Sequence, residues 1–290
     1  MSLLAAVAVA AAFQFNDAYE LPWRTYVDAQ LERTDDRVLP PPPDIAVYFG
    51  KHAAEIKDLR AHPIVSANSA DMILLTRILV AHALSHHDWD DLGAAWEMQR
   101  RLWREPAFVS RLTALRGSLM IVAAGRKLQP SAPKWFYEVL AVDVPRAIAD
   151  ALVADSEKMR LEMAKEETSD SLGERLIDAV KGPYMAASAG DYADAMRATT
   201  ASMLGSRRCI VNEKEFSDRL GEAMAFWNPW RRHAPIVGRL WQRTASFALE
   251  RERTMKTLQL KAGATPSASS QCSDVTWKVE GGALKFSKVP

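Results

Sequence analysis

The chain has no excess of charge of either sign. Lys and Arg number 37, Asp and Glu 36, leaving a net charge of +1 over 290 residues. That balance supplies no basic field for nucleic acid, so no nucleic-acid partner is expected. Glycine is scarce at 13 residues, and no glycine-rich phosphate loop appears. Gly117 and Gly125 stand singly inside a helical pattern. Gly117-Ser118 and Gly205-Ser206 lack the frame of a Gly-x-Ser-x-Gly nucleophile elbow. Cysteine is rarer still, with two residues and no Cys-x-x-Cys pair, which excludes a thiolate zinc knuckle. The unbroken apolar run Leu3–Phe13 is eleven residues long, short of the roughly 17 that span a bilayer.

What is present favours helices. Hydrophobic residues make up 48% and charged residues 25%, an ordinary balance for a globular chain with a substantial core. Ala and Leu are plentiful, and both propagate helices well. The run Leu3–Phe13 has the length of a secretory apolar region, with Ala10, Ala11 and Ala12 as small residues for cleavage, but no basic residue precedes it. A signal peptide, the stub of a membrane anchor and a buried first helix all fit residues 1–14. Cys209 and Cys272 are either two buried thiols or, in an exported protein, a disulfide worth about 4 kcal/mol by loop-closure entropy.

Along the chain, residues 15–43 form an N-terminal helix and a proline spacer. Tyr19, Trp23, Tyr26 and Leu31 recur at helical spacing, and Pro40–Pro43 favour a stiff polyproline connector that holds this segment off the body. Residues 44–260 read as one α-helical domain. Ile45–Arg60 is a short helix, and Ser66, Asn68 or Ser69 caps a central helix over Met72–Leu84, apolar nearly all round. Asp88 or Asp90 opens the helix Trp89–Trp103, and Phe108–Leu128 follows. Trp135–Leu140 and Val144–Thr168 come next, Pro145 sitting in a first turn. Gly182-Pro183 closes a short helix over Glu174–Val180, and Gly190-Asp191-Tyr192 enters another over Asp191–Leu204. Glu213–Phe226 and Val237–Leu260 complete the helices. Residues 261–290 are a small, polar linker and a β-hairpin: Asp274–Glu280 and Ala283–Val289 alternate around Gly281-Gly282. A lone hairpin is marginal in water, so Trp277 and Phe286 are expected to pack on the helical body.

Three of the six histidines and three of the nine tryptophans fall between Ala81 and Trp103. His82 and His86 share a helix face at i, i+4, the spacing of paired zinc-ligating histidines, with a carboxylate from Asp88, Asp90 or Asp91 nearby, Asp90 being the one assigned. Ala83 stands where the zinc-protease motif has its glutamate. A simpler account serves both charge clusters: His86 and His87 end one helix, Asp88, Asp90 and Asp91 begin the next, and each suits the dipole there. No catalytic residue is assigned. Glu162, Glu166 and Glu167 lie in a charged, wet stretch without the burial that tunes a carboxylate. Trp227, Trp230, Arg231 and Arg232 are the candidate binding residues, since tryptophan beside arginine covers partner surfaces well. The alternative places those tryptophans in the core, with the arginines reaching outward.

Trp89-x2-Leu92-Gly93-x2-Trp96 matches the opening of a tetratricopeptide repeat, but no 34-residue period follows it, so irregular helical hairpins are expected. Leu21-Pro22-Trp23-Arg24-x-Tyr26 follows the apolar N-terminus, and Asp44 follows the proline run. With the block Leu92–Leu128, the Asn228-Pro229 loop and the Cys272-x4-Trp277 hairpin, the chain resembles a loosely defined group of bacterial extracytoplasmic helical proteins. That group carries a longer, basic-flanked anchor and brings no catalytic residues. The expected fold is mainly α, an irregular helical-hairpin bundle or short solenoid with a C-terminal β-hairpin. The expected function is that of an exported interaction or scaffold protein, periplasmic or membrane-anchored, without cofactor. Its partner would be a protein of the cell envelope, with membrane association through the N-terminus; the alternative localisation is cytoplasmic. The alternative function is a zinc-dependent hydrolase built on His82, His86 and Asp90.

Overall fold

A computed structural model of the chain describes residues 16–32, 38–63, 68–128, 132–164, 172–281 and 283–289. The apolar segment 1–14 lies outside the described residues, as do Glu166 and Glu167. The helices and the terminal hairpin fall into two compact units. One runs up to Val142 and takes in Glu250–Pro266; the other holds Asp143–Leu249 and the chain from Ser267 onward. The fold is mainly α with a two-stranded antiparallel C-terminal sheet, as the periodicities predict.

The first unit begins with α1 (Asn16–Tyr19), α2 (Trp23–Glu32), α3 (Pro43–Lys51) and α4 (Ala53–Ala61). Its centre is α5 (Ser69–His86), α6 (Trp89–Arg104) and α7 (Phe108–Gly125), which pack on one another. α8 (Lys134–Ala141) lies against α6 and α7. The side chain of Asn68 caps α5 by accepting from the Ala70 amide at 2.9 Å. Beyond it, Met72, Leu75, Ile78, Leu79 and Leu84 are almost fully buried, because a helix apolar on every side must be surrounded. α7 is long and apolar enough to cross a membrane by length and composition. Most of it is buried, with Ala114, Ile121, Val122 and Ala124 inside the unit. Gly117 and Gly125 explain how closely α7 is approached. A Cβ at Gly117 would lie 2.3 Å from the Gln99 amide, and one at Gly125 2.3 Å from the Phe136 ring.

The proline run does not hold α2 away from the body. Trp23, Tyr26, Val27 and Gln30 are buried, and α2 packs against α5 and α7. Gln30 brackets the backbone of Leu39, its Nε2 donating to the carbonyl at 2.7 Å and its Oε1 accepting from the amide at 2.9 Å. Pro42 has the extended dihedrals φ −53°, ψ 151°, and Pro43 opens α3, where a missing N–H is harmless. The single helix expected over Ile45–Arg60 is broken at His52, which leaves the helical region at φ −110°, ψ 25°.

The second unit contains α9 (Val144–Met163), α10 (Leu172–Ser206), α11 (Glu213–Ala223), a 3-10 turn (Pro229–His233) and the first part of α12 (Ala234–Lys261). α10 corrects the sequence reading. One helix runs through Gly182-Pro183 and on past Asp191, where two short helices were expected. Proline removes one backbone hydrogen bond and clashes one turn back. Lys181–Tyr184 are exposed, and the helix resumes because Ala189, Ala193 and Met196 are buried. The side chain of Asn212 caps α11, and Phe216 stacks on Trp241 of α12 with ring centroids 5.3 Å apart.

Strands β1 (Val275–Glu280) and β2 (Ala283–Lys288) pair with Trp277 opposite Phe286. Gly281 makes the turn at φ 59°, a left-handed conformation that suits glycine. Cys209 and Cys272 form a disulfide with Cα atoms 5.5 Å apart. Asp274 reinforces it, its carboxylate accepting from the amides of Cys209 at 3.0 Å and Ile210 at 2.9 Å. Val275 and Trp277 are buried with the cysteine pair against Ile210, Ala248 and Leu249. Phe286 stays 45% exposed, so of the two aromatics expected to pack, only Trp277 is buried. The segment before the strands is anchored, since Ala268 accepts a backbone hydrogen bond from Trp277 at 3.0 Å.

Candidate functional site

Two places bring chemically capable side chains together. The first is the corner between α5 and α6. α5 ends at His86, and His87 takes a left-handed conformation at φ 53° as the chain turns. Asp88 starts α6, its side chain accepting from the Asp90 amide at 2.8 Å. This is the helix-to-helix corner that the dipole argument describes. The corner also aims two imidazoles. His82 donates from Nδ1 to Asp91 Oδ2 at 2.6 Å, and His86 donates from Nδ1 to the His82 carbonyl at 3.0 Å. The rings stack with centroids 4.0 Å apart and planes 24° from parallel, and both meet the edge or face of Phe49 from α3.

The carboxylate at His82 is therefore Asp91, whose side chain is fully buried. Asp90 is exposed. His82, His86 and Asp90 do not assemble as a ligand set, and among the described residues no group of three His, Cys, Asp or Glu is arranged to hold a metal ion. Arg60 of α4 faces this carboxylate, its Nε 3.7 Å from Asp91 Oδ1, and also pairs with Asp88. Asp91 was legible in principle. It shares a stripe with Ala95, Met98 and Leu102, the buried face of α6, so an acid there is an acid in the core. Phe49 and Arg60 come from helices distant in sequence, and no local pattern announces them.

The second place is the loop between α11 and α12 in the other unit. Asn228 is 3% exposed and organises it. Its Nδ2 donates to the Ser188 carbonyl at 2.8 Å and to Asp191 Oδ2 at 2.7 Å, while its Oδ1 accepts from the Trp230 amide at 2.9 Å. Asp191 also accepts from the Ala225 amide at 2.9 Å. Pinned on α10 in this way, the loop turns Phe226 outward at 87% exposure and Trp227 at 42%. Tyr184 lies beside Trp227, ring centroids 5.7 Å apart, its hydroxyl donating to the Trp227 carbonyl at 3.1 Å. Trp230 goes the other way, half-buried between Tyr192 and His233.

Arg231 and Arg232 are exposed, as are Arg239, Arg243 and Ile236. From residue 223 to 249 the chain carries these four arginines and no acid. The loop thus splits the two sequence expectations. Trp230 packs inward, and Trp227 with Arg231 and Arg232 faces solvent. Phe226 and Tyr184, the most exposed aromatics beside them, were not among the expected residues. No family model, curated protein or solved structure matches the chain.

Proposed function

We propose that this is an exported helical interaction or scaffold protein, which engages a protein partner of the cell envelope through the Phe226–Ile236 loop. The observation that carries the reading is the exposure of Phe226 and Trp227 beside arginines with no acid in the surrounding stretch. Leaving a large aromatic in water forgoes about 1.5–3 kcal/mol of burial, and Trp, Tyr and Arg are the residues that dominate binding hot spots. The partner suited to it presents an apolar pocket rimmed by carboxylates. Export is supported by the Cys209–Cys272 pair, since disulfides persist in oxidising compartments, and by the apolar run Leu3–Phe13. No cofactor is required.

A photo-crosslinking residue at position 226, introduced in intact cells, tests the contact. A discrete crosslinked protein is expected there and absent with the probe at Val109, an exposed residue of the other unit. Trp227→Ala with Arg231→Ala should weaken capture of that partner by tenfold or more while far-ultraviolet circular dichroism stays unchanged. Equal capture by the double variant would refute the loop as the contact. Fractionation with thiol titration tests export: two free thiols in the native protein would contradict an oxidising location.

A further inference from the structure

We propose that the arginine face of α12 docks an acidic amphipathic helix of the partner, an inference that rests on reading the Phe226–Ile236 loop as a protein contact. α12 buries Val237, Trp241, Thr244 and Ala245 and leaves Ile236, Arg239, Gln242 and Arg243 exposed. Ile236, Arg239 and Arg243 fall at i, i+3 and i+7, so they line one face over about 10 Å of helix. Arg231 and Arg232 are exposed in the 3-10 turn that leads into it. Among the described residues, none of these four arginines makes an ion pair or a side-chain hydrogen bond. Elsewhere in the same unit, Arg146, Arg160, Arg197, Arg208 and Arg219 each pair with a carboxylate.

Within the fold these charges are a cost. Arg239 and Arg243 are like charges at i, i+4, a repelling spacing. Arg231 and Arg232 lie at the N-terminal end of α12, where the helix dipole disfavours cations. Carboxylates supplied by a partner offset both. Residues 215–255 contain no lysine, and a guanidinium fork grips a carboxylate through two parallel hydrogen bonds, which an ammonium cannot do. Forks repeated at helical spacing favour an ordered partner over the diffuse charge of a lipid surface. The net charge of +1 gives no long-range field for nucleic acid. A helix with Asp or Glu three and four residues apart presents its acids on one face, in step with Arg239 and Arg243. Apolar residues beside those acids cover Ile236, which is 57% exposed. Ile236 follows directly on the turn after Phe226 and Trp227, so a single partner segment extends from the loop along α12.

The test uses the full chain with its disulfide intact. A photo-crosslinking residue replacing Gln242, on the same face, should trap the protein trapped from position 226. Sequencing of the crosslinked peptide should show a helical segment with acids three or four apart, and a synthetic peptide of that sequence then serves as the probe. Arg239→Glu with Arg243→Glu should weaken peptide binding by about tenfold or more, while Lys278→Glu with Lys288→Glu, an equal charge change on the exposed hairpin face, should bind as the parent does. If the first reversal does not fold, Arg239→Gln with Arg243→Gln carries the comparison. No crosslink at position 226 would remove the loop contact and this inference with it. A crosslink at 226 with none at 242, a crosslinked peptide without acids, or undiminished binding by the reversal would overturn this inference and leave the loop contact standing. Co-sedimentation with phosphatidylglycerol vesicles, abolished by the same reversal, would overturn the helix in favour of a lipid surface.

Discussion

Asn228 shows how much a single amide can hold. Its side chain makes three hydrogen bonds while almost fully buried. Replacing it with alanine removes a partner from the buried Ser188 carbonyl, from Asp191 and from the Trp230 amide, and a buried polar group left unpaired costs about 1–3 kcal/mol. Asn228→Ala should therefore destabilise the protein by roughly 2–4 kcal/mol in urea unfolding and raise the protease sensitivity of the loop. At Gly117 the limit is space. A methyl group there meets the Gln99 amide at 2.3 Å, and Gln99 is held by its Nε2 donating to Thr76 Oγ1 at 2.7 Å. Gly117→Ala gains helix propensity but should lose about 1–3 kcal/mol overall through overpacking. A net rise in thermal midpoint would contradict that.

Two tyrosines also report at this scale. Tyr19 is pushed up to about 12 by its hydrogen bond to Asp71, with burial assisting. Tyr192 is pushed up to about 12 by burial, with the Asp155 charge assisting. Both shifts favour the protonated phenol in the folded state. Their contribution is complete below the ordinary tyrosine value near 10 and is lost as pH rises from there through about 12. Burial raises Tyr26 as well, so ultraviolet titration of the folded protein should show at least three late-ionising phenols. Tyr192→Phe should remove one of them and flatten the alkaline decline in unfolding free energy by an amount on the order of 2 kcal/mol.

At the scale of elements, α10 separates local preference from its outcome. Gly182-Pro183 is a sound stop signal by local chemistry, yet the helix continues because its later face has a partner in α9. The proline is a cost that this packing outweighs. Pro183→Ala should then raise stability, by about 1–3 kcal/mol if the backbone accepts the restored hydrogen bond. An unchanged or lower thermal midpoint would contradict that. The corner between α5 and α6 was legible for the opposite reason. Caps and dipoles act within one turn, so Asn68, His86 and Asp88 reveal their roles locally. The identity of the carboxylate at His82 was not local. Asp90 and Asp91 differ only in which face of α6 they occupy, and that face is set by α4 and α5.

For the whole molecule, the disulfide is the main covalent constraint. It closes a loop of 63 residues, for which loop-closure entropy gives about 4 kcal/mol. Reduction should lower unfolding stability by roughly 2–4 kcal/mol and release the hairpin, because Val275 and Trp277 are buried with the cysteine pair. Guanidinium unfolding with and without reductant, followed by proteolysis between residues 262 and 274, checks both. A reduced protein as stable and as resistant as the oxidised one would place the hairpin's anchorage in Asp274 and Trp277 alone.

Sequence by itself determined the helical class, the caps around the α5–α6 corner and the turn-centred hairpin, because those depend on periodicity and on groups a few residues apart. It also marked Cys209 and Cys272, and the density of tryptophan and arginine near residue 230. Only the tertiary structure decided that α10 is one helix and that α2 is packed. Only it could show that the cysteines meet, that Trp227 faces water while Trp230 does not, and that His82 pairs with Asp91. Each of those outcomes rests on neighbours brought from distant parts of the chain, and the free energy of burial and pairing that they supply exceeds the local preferences they override.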